Sequence, residues 1–254
     1  QNKLEHSIYF DGHKYFDLLR PSFNPLGFNS AKKLEVARIV AVTEMISILK
    51  KTDLFIFTLG LTEAWKNKNG LIYPSCPGVV SGVFDEKLHS FHNFTHSEIM
   101  SDMEEMLTAI RQIKSNIKFV LTVSPVPLTA TATENHILVA NSYSKSVLRS
   151  VAGELSEKLI DVEYFPSFEI ITVPSDDFRF KDNLRSVSSR GVAYVMSHFS
   201  SAGENISVDD NLDKIKPIRQ ENGEANPVNA DEVCEDSLLD LEKLTEQEPF
   251  SHFN

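Results

Sequence analysis

Only two cysteines occur in 254 residues, Cys76 and Cys234, too few for a disulfide framework, so a reducing cytoplasm is the expected setting. No apolar run approaches the roughly 18 residues that cross a bilayer, so neither a spanning helix nor a membrane partner is expected. Lysine and arginine form no cluster and the chain before Gly203 is nearly neutral, which gives DNA or RNA no electrostatic footprint. No cofactor is expected either. Negative charge sits at one end: from Gly203 to Asn254, fourteen acidic residues against four basic ones supply −10 of the net −11. That stretch has few large apolar residues and no aromatic before Phe250, so it cannot bury enough surface to offset its ordering entropy. The sequence divides into a folded domain over 1–199 and an acidic tail over 200–254, expected to be disordered. Val233, Leu238, Leu241 and Leu244 allow residual helix over 230–245.

What the chain has is alternation. Asn29 or Ser30 caps a helix running to about residue 51, whose Leu34, Val42, Met45, Ile46 and Leu49 recur at helical spacing and predict a core face. A strand over 53–59 follows. Residues 66–94 contain Asn69-Gly70, Cys76-Pro77-Gly78 and Gly82, which is turn chemistry, and read as one long loop of a kind that is usually functional. Thr95 and Glu98 have capping-box spacing and open a helix to about residue 114. A strand over 118–123 stops at Ser124-Pro125-Val126-Pro127; then come a helix over 134–158, a strand over 162–165 and a helix over 188–199. This order predicts an α/β fold of parallel strands with flanking helices. The loops at 60–65, 124–127 and 165–169 then gather along one sheet edge.

An apolar strand running into Gly60-Leu61-Thr62-Glu63-Ala64-Trp65 is how an α/β enzyme presents polar groups to a ligand. A plain turn, with Gly60 for backbone freedom and Thr62 or Glu63 as a cap, accounts for the same residues. Both readings stand at this level. His89, His92 and His96 are spaced like ligands but lie across a loop and a helix start without a cysteine or close carboxylate pair, so no metal site is expected. Ser144 and Lys145 are neighbours on a helix and point about 100° apart, which suits packing and capping better than a nucleophile-base dyad.

FTLGLTEAW (57–65), PGVVSG (77–82), LTVSPVPLTAT (121–131), HILVANSYSKSVLR (136–149), YFPSFEI (164–170) and DNLRSVSSRGVAYVM (182–196) together resemble the GSCFA-domain family, in this order and at these spacings. The upstream FDGHKYFDLLRPSFNPLGF joins them, so the resemblance covers about residues 10–199. The family is similar to the SGNH/GDSL hydrolases, which implies a flavodoxin-like sheet carrying a serine nucleophile after its first strand. No Gly-Ser-Cys occurs in the chain. The expectation is a C-terminal fragment of a longer protein, with the first strand and serine upstream of Gln1; the alternative is a protein that has lost its nucleophile. Expressed alone, such a chain is expected to expose Leu54, Phe55, Ile56 and Phe57 on an unpaired edge, to be aggregation-prone or partly folded, and to be inactive.

The resemblance also distributes roles. Gly60-Leu61-Thr62-Glu63 occupies the place of the Gly-x-Asn-Asp block, so Thr62 is the expected oxyanion donor, Gly60 permits close approach, and Glu63 orients a partner or caps the loop. Trp65 stacks on a sugar or acyl group or forms a core edge. The Asp-x-x-His block appears as Asp182-Asn183-Leu184-Arg185, and an arginine cannot accept a proton at neutral pH. His136 is the candidate replacement base beside Asp182, with a structural histidine as the open alternative. Arg185 either pairs with Asp182 or binds an anionic substrate group, and Ser124 lines the same edge. The implied activity is an SGNH-like hydrolase or acyltransferase acting on ester or carbohydrate substrates, as in polysaccharide modification. The alternative is a non-catalytic carbohydrate-binding or scaffold module of the same fold.

Overall fold

The computed structural model describes residues 4, 6–173, 179–183 and 185–203; the expected acidic tail beyond 203, with its possible helix, lies outside the described residues. Strand β1 (Ile8–Phe10) and strand β2 (Tyr15–Asp17) form an antiparallel hairpin in the stretch the sequence left irregular. Helix α1 (Ala31–Leu49) follows, its first turn capped by Ser30, whose Oγ accepts from Lys33 N. Strand β3 (Leu54–Leu59) then leads into a small antiparallel sheet of order β5-β4-β6, made of β4 (Glu63–Asn67), β5 (Ile72–Tyr73) and β6 (His89–Asn93). The single long loop expected over 66–94 is corrected here. The turns are where glycine chemistry put them, with Gly70, Gly78 and Gly82 at φ of +80°, +101° and +86°, but residues 66–67, 72–73 and 89–93 of this stretch lie in paired strands.

Helix α2 (His96–Ile113), strand β7 (Lys118–Val123), helix α3 (Ile137–Lys158) and strand β8 (Val162–Phe165) complete a parallel sheet of order β3-β7-β8. Helix α4 (Ser167–Thr172) and helix α5 (Ser189–Gly203) close the described chain, α5 running past the expected end near residue 199. Gly191 lets α5 approach its own lead-in segment, since a Cβ there would stand 2.5 Å from Arg179 O.

The central strand β7 is buried along almost its whole length, from Phe119 to Val123, as a parallel strand covered on both faces must be. One face of the sheet, Phe55, Phe57, Leu59, Phe119, Leu121 and Val123 by register, packs on Met103 and Leu107 of α2 and on Leu148, Val151, Ala152 and Leu155 of α3. Each fully buried leucine-sized side chain here contributes about 1.5–3 kcal/mol. On the other face Leu54 and Ile56 are 44% and 50% exposed, and no strand pairs with the outer edge of β3 among the described residues.

The expected core face of α1 is also corrected. Leu34 is fully buried and Leu49 packs against the core, but Val42, Met45 and Ile46 are exposed. The helix is anchored mainly near its start, where Arg38 holds Asp17 of the hairpin by Nε (2.9 Å) and Nη2 (2.6 Å), and no layer of the described residues covers the apolar stripe beyond.

Candidate functional site

The C-terminal end of β3 carries the polar groups. Ser124 N donates to Leu59 O at 2.9 Å, and the chain then turns through Gly60, Leu61 and Thr62 into β4. Helix α3 grips both ends of this turn: Lys145 Nζ donates to Gly60 O at 2.8 Å, and Thr62 N donates to Ser144 Oγ at 3.0 Å. Although neighbouring helical side chains diverge by about 100°, a three-residue turn is wide enough to receive both. Thr62, Ser144 and Lys145 are all buried, and burial pushes the Lys145 amine down to about 8. No carboxylate pairs with it among the described residues.

From the turn the network continues onto the small sheet. Thr62 Oγ1 donates to Asn93 Oδ1 at 2.6 Å, and Phe94 N donates to Thr62 O at 2.8 Å. Glu63, directly opposite Asn93 in the β4–β6 ladder, accepts from Thr131 Oγ1 at 2.6 Å and from Ala132 N at 3.1 Å. Its carboxylate therefore joins the loop after β3 to the loop after β7. The segment after β8 reaches the same end of the sheet, where Ser167 Oγ donates to Val123 O at 2.9 Å and meets the Thr122 hydroxyl. Close by in sequence, Glu169 accepts from Arg149 Nε at 2.6 Å and from Tyr164 Oη at 2.7 Å, while Arg149 lies over the Tyr164 ring. Burial and the Glu169 carboxylate both push the Tyr164 phenol up.

The other expected site residues have definite places. Gly60 is not crowded: a Cβ there would meet nothing within 4 Å. Trp65 is half-buried between Phe84 and Phe91, with ring centroids 5.1 and 5.7 Å away. Ser124 Oγ accepts from Val126 N at 3.3 Å, an intraloop turn bond. His136 is the N-cap of α3 and its Nδ1 accepts from Leu138 N at 3.3 Å, which places the proton of the neutral ring on Nε2. Asp182 is exposed on a turn organised by Asn183, whose Oδ1 accepts from Arg185 N and Ser186 N. Asp182 and Arg185 do not pair, and Arg185 Nε is buried without a hydrogen-bond partner among the described residues. The three spaced histidines go separate ways: His89 Nδ1 accepts from Asp85 N, His92 lies between Lys66 and Glu98, and His96 faces Glu154. Among the described residues no group of three or more His, Cys, Asp or Glu could hold a metal ion. No helix of the described residues is long and apolar enough to cross a membrane.

A family model, that of the GSCFA family, matches residues 3–199, which takes in nearly the whole described fold from the hairpin to α5. The chain belongs to the GSCFA family. No curated protein matches it. In this GSCFA domain the residues that sequence reasoning missed are Asn93 and Thr131, while Ser144 and Lys145, read from sequence as packing and capping, hold the turn together. Asn93 carries no motif signal, because its place opposite Glu63 depends on a strand register that only the folded sheet displays.

Proposed function

We propose that this GSCFA domain is the ligand-orienting part of an SGNH-like hydrolase or acyltransferase that acts on ester or carbohydrate substrates in the cytoplasm, including polysaccharide modification. The observation that carries the reading is the Glu63 bridge, which holds the loops after β3 and β7 together at the C-terminal edge of a parallel sheet, where open α/β folds bind their ligands. The nucleophilic serine comes from a further strand that pairs with the outer edge of β3, and the support for it is that this edge has no partner strand among the described residues. The domain by itself is then inactive towards p-nitrophenyl acetate.

His136 serves as the base through its second tautomer. Moving the ring proton to Nδ1 gives up one long cap bond of 3.3 Å and frees the Nε2 lone pair. Asn at position 136 caps a helix but takes up no proton, so His136→Asn is expected to keep the fold and lower turnover by about 10²–10⁴-fold. Arg185, with no carboxylate partner among the described residues, is assigned to an anionic group of the substrate.

A second reading has its own observation. Thr62, Glu63, Ser144 and Lys145 all spend their hydrogen bonds on holding loops, which favours a non-catalytic carbohydrate-binding or scaffold module. Labelling the full-length protein with a serine-reactive fluorophosphonate separates the two: a labelled serine establishes the enzyme, and an unlabelled protein that still binds saccharide establishes the module.

A further inference from the structure

Thr62 cannot serve as the donor its position in the sequence suggests. It is 1% exposed and its hydroxyl proton is committed to Asn93 Oδ1 at 2.6 Å. That bond has a consequence on the other side of the amide. With Oδ1 accepting, Nδ2 is turned the opposite way, and its two N–H groups have no partner among the described residues. Asn93 is half-buried, so the free amide lies at the surface of the site rather than within the core. The orientation is fixed in series: Ser144 Oγ holds Thr62 N, Thr62 Oγ1 holds Asn93 Oδ1, and Phe94 N holds Thr62 O. A rigid, unpaired pair of N–H donors at the C-terminal edge is a receptor for an oxygen acceptor without a proton of its own.

We propose that the Asn93 side-chain amide is the donor that receives the acyl carbonyl oxygen of the ligand, with Thr62 as its positioning residue. The assignment rests on reading this edge as the ligand site. Its neighbours define the ligand class more closely. By strand alternation and register, Asn93 and Glu63 share a face of the β4–β6 pair with Phe91 and Trp65, whose rings stand 5.7 Å apart. An amide donor beside half-buried aromatic rings suits a sugar bearing an acyl group, which offers a carbonyl to the first and apolar C–H surface to the second.

The test uses the intact protein labelled with ¹⁵N-asparagine and titrated with N-acetylglucosamine. The Asn93 amide pair is recognised by its loss in Asn93→Asp, and it is expected to shift saturably with the sugar. Asn93→Asp should weaken binding by about tenfold or more, since a carboxylate faces the carbonyl with no proton to donate. Thr62→Val, which keeps shape but frees Asn93 Oδ1, should move the amide pair before any sugar is added and weaken binding by a smaller factor. An amide pair that stays still while other signals saturate, or the absence of any saturable shift, overturns the assignment, and the second outcome is read on the parent protein alone. A fluorophosphonate-labelled serine together with an unmoved Asn93 pair removes the donor and leaves the enzyme standing. A shifting pair without labelling keeps the donor and removes the enzyme.

Discussion

Helices α1 and α2 are of nearly equal length, both begin at a hydroxyl N-cap and both carry apolar residues at helical spacing, yet they meet opposite fates. In α2, Ile99, Met100, Met103, Leu107 and Ile110 are all buried; in α1, Ile39, Met45 and Ile48 are 66%, 61% and 62% exposed. The difference lies in what stands opposite. Helix α2 lies over the sheet face built by Phe57, Leu59, Phe119 and Leu121 and beside α3, whereas α1 is held by Leu34, by Leu49 and by the Arg38–Asp17 clamp, with nothing over its middle among the described residues. A periodic apolar stripe states that a surface has to be covered, and tertiary structure decides by what. The α1 stripe and the bare edge of β3 are two surfaces of the described residues that still ask for a cover.

The largest effect expected from this contrast is in the two stripes themselves. Leu107→Ala removes a side chain with no exposure from the centre of the core and should cost about 2–5 kcal/mol. Ile39→Ala, at 66% exposure, should stay within about 0.5 kcal/mol. Urea denaturation of both variants checks this. Equal losses would mean that α1 is covered after all and would break the comparison.

The anchor of α1 comes next. Asp17 is 4% exposed, and although burial pushes its carboxyl up, the Arg38 guanidinium and the Leu19 amide outweigh that and hold it below the ordinary value of 3.8. Arg38→Ala strands this carboxylate and should cost about 3 kcal/mol. The sign of the pH dependence follows: a carboxyl whose folded value is depressed contributes stability that is complete above the unfolded value and is lost as pH falls through the folded one. Acid titration of stability below about pH 4 should therefore be shallower in the variant than in the parent.

A third contrast sets Lys145 on α3 against Lys32 and Lys33, exposed on α1. The folded chain holds the Lys145 amine near 8 against an ordinary 10.5, so between those values the unfolded chain binds more protons and stability rises with pH. From pH 8 to about pH 9.5 the gain should be about 2 kcal/mol on this account, and Lys145→Met should remove it. Substituting Lys32 or Lys33 should leave the slope unchanged. A parent whose stability is flat over this range would show that the Gly60 carbonyl alone keeps the ammonium charged.

The parallel sheet was legible because its strands are apolar runs with hard stops. Strands over 118–123 and 162–165 read to the residue, bounded by Ser124-Pro125 and Pro166. Helix α2 was legible from its capping box, which forms as spaced: Glu98 Oε2 accepts from Thr95 N at 2.8 Å. Strands β4 and β6 were not, since EAWKN and HSFHN contain no apolar run and become strands only by pairing with each other. Helix α4 is six residues long with no side-chain cap, so it left no start signal. At the site, alternation of elements indicated which loops converge, and TLGLTEAW showed that polar groups follow the end of β3. It could not reveal that Thr62 is spent on Asn93, because Asn93 is 31 residues away and is aligned by the register Glu63↔Asn93.

The smallest expected effect separates the two helices at their caps. Ser30 gives α1 one bond, Oγ accepting from Lys33 N at 3.2 Å. Thr95 gives α2 a reciprocal box, and Glu98 is further held by His92 Nε2 at 2.9 Å, so the α2 start is tied to β6 as well as to itself. A cap contributes to global stability only as far as its helix unfolds with the core. Thr95→Ala should therefore lower the unfolding free energy by about 1 kcal/mol, the usual value for a cap on a helix the core depends on. Ser30→Ala should lower it by about 0.5 kcal/mol or less, because an uncovered helix can fray without opening the sheet. Amide hydrogen exchange sharpens the point: Ser30→Ala should speed exchange within Ala31–Leu49 while the β7 amides keep their protection. Equal losses from the two caps, with β7 exchange rising in both, would show that α1 belongs to the same cooperative unit as α2 despite its exposed stripe.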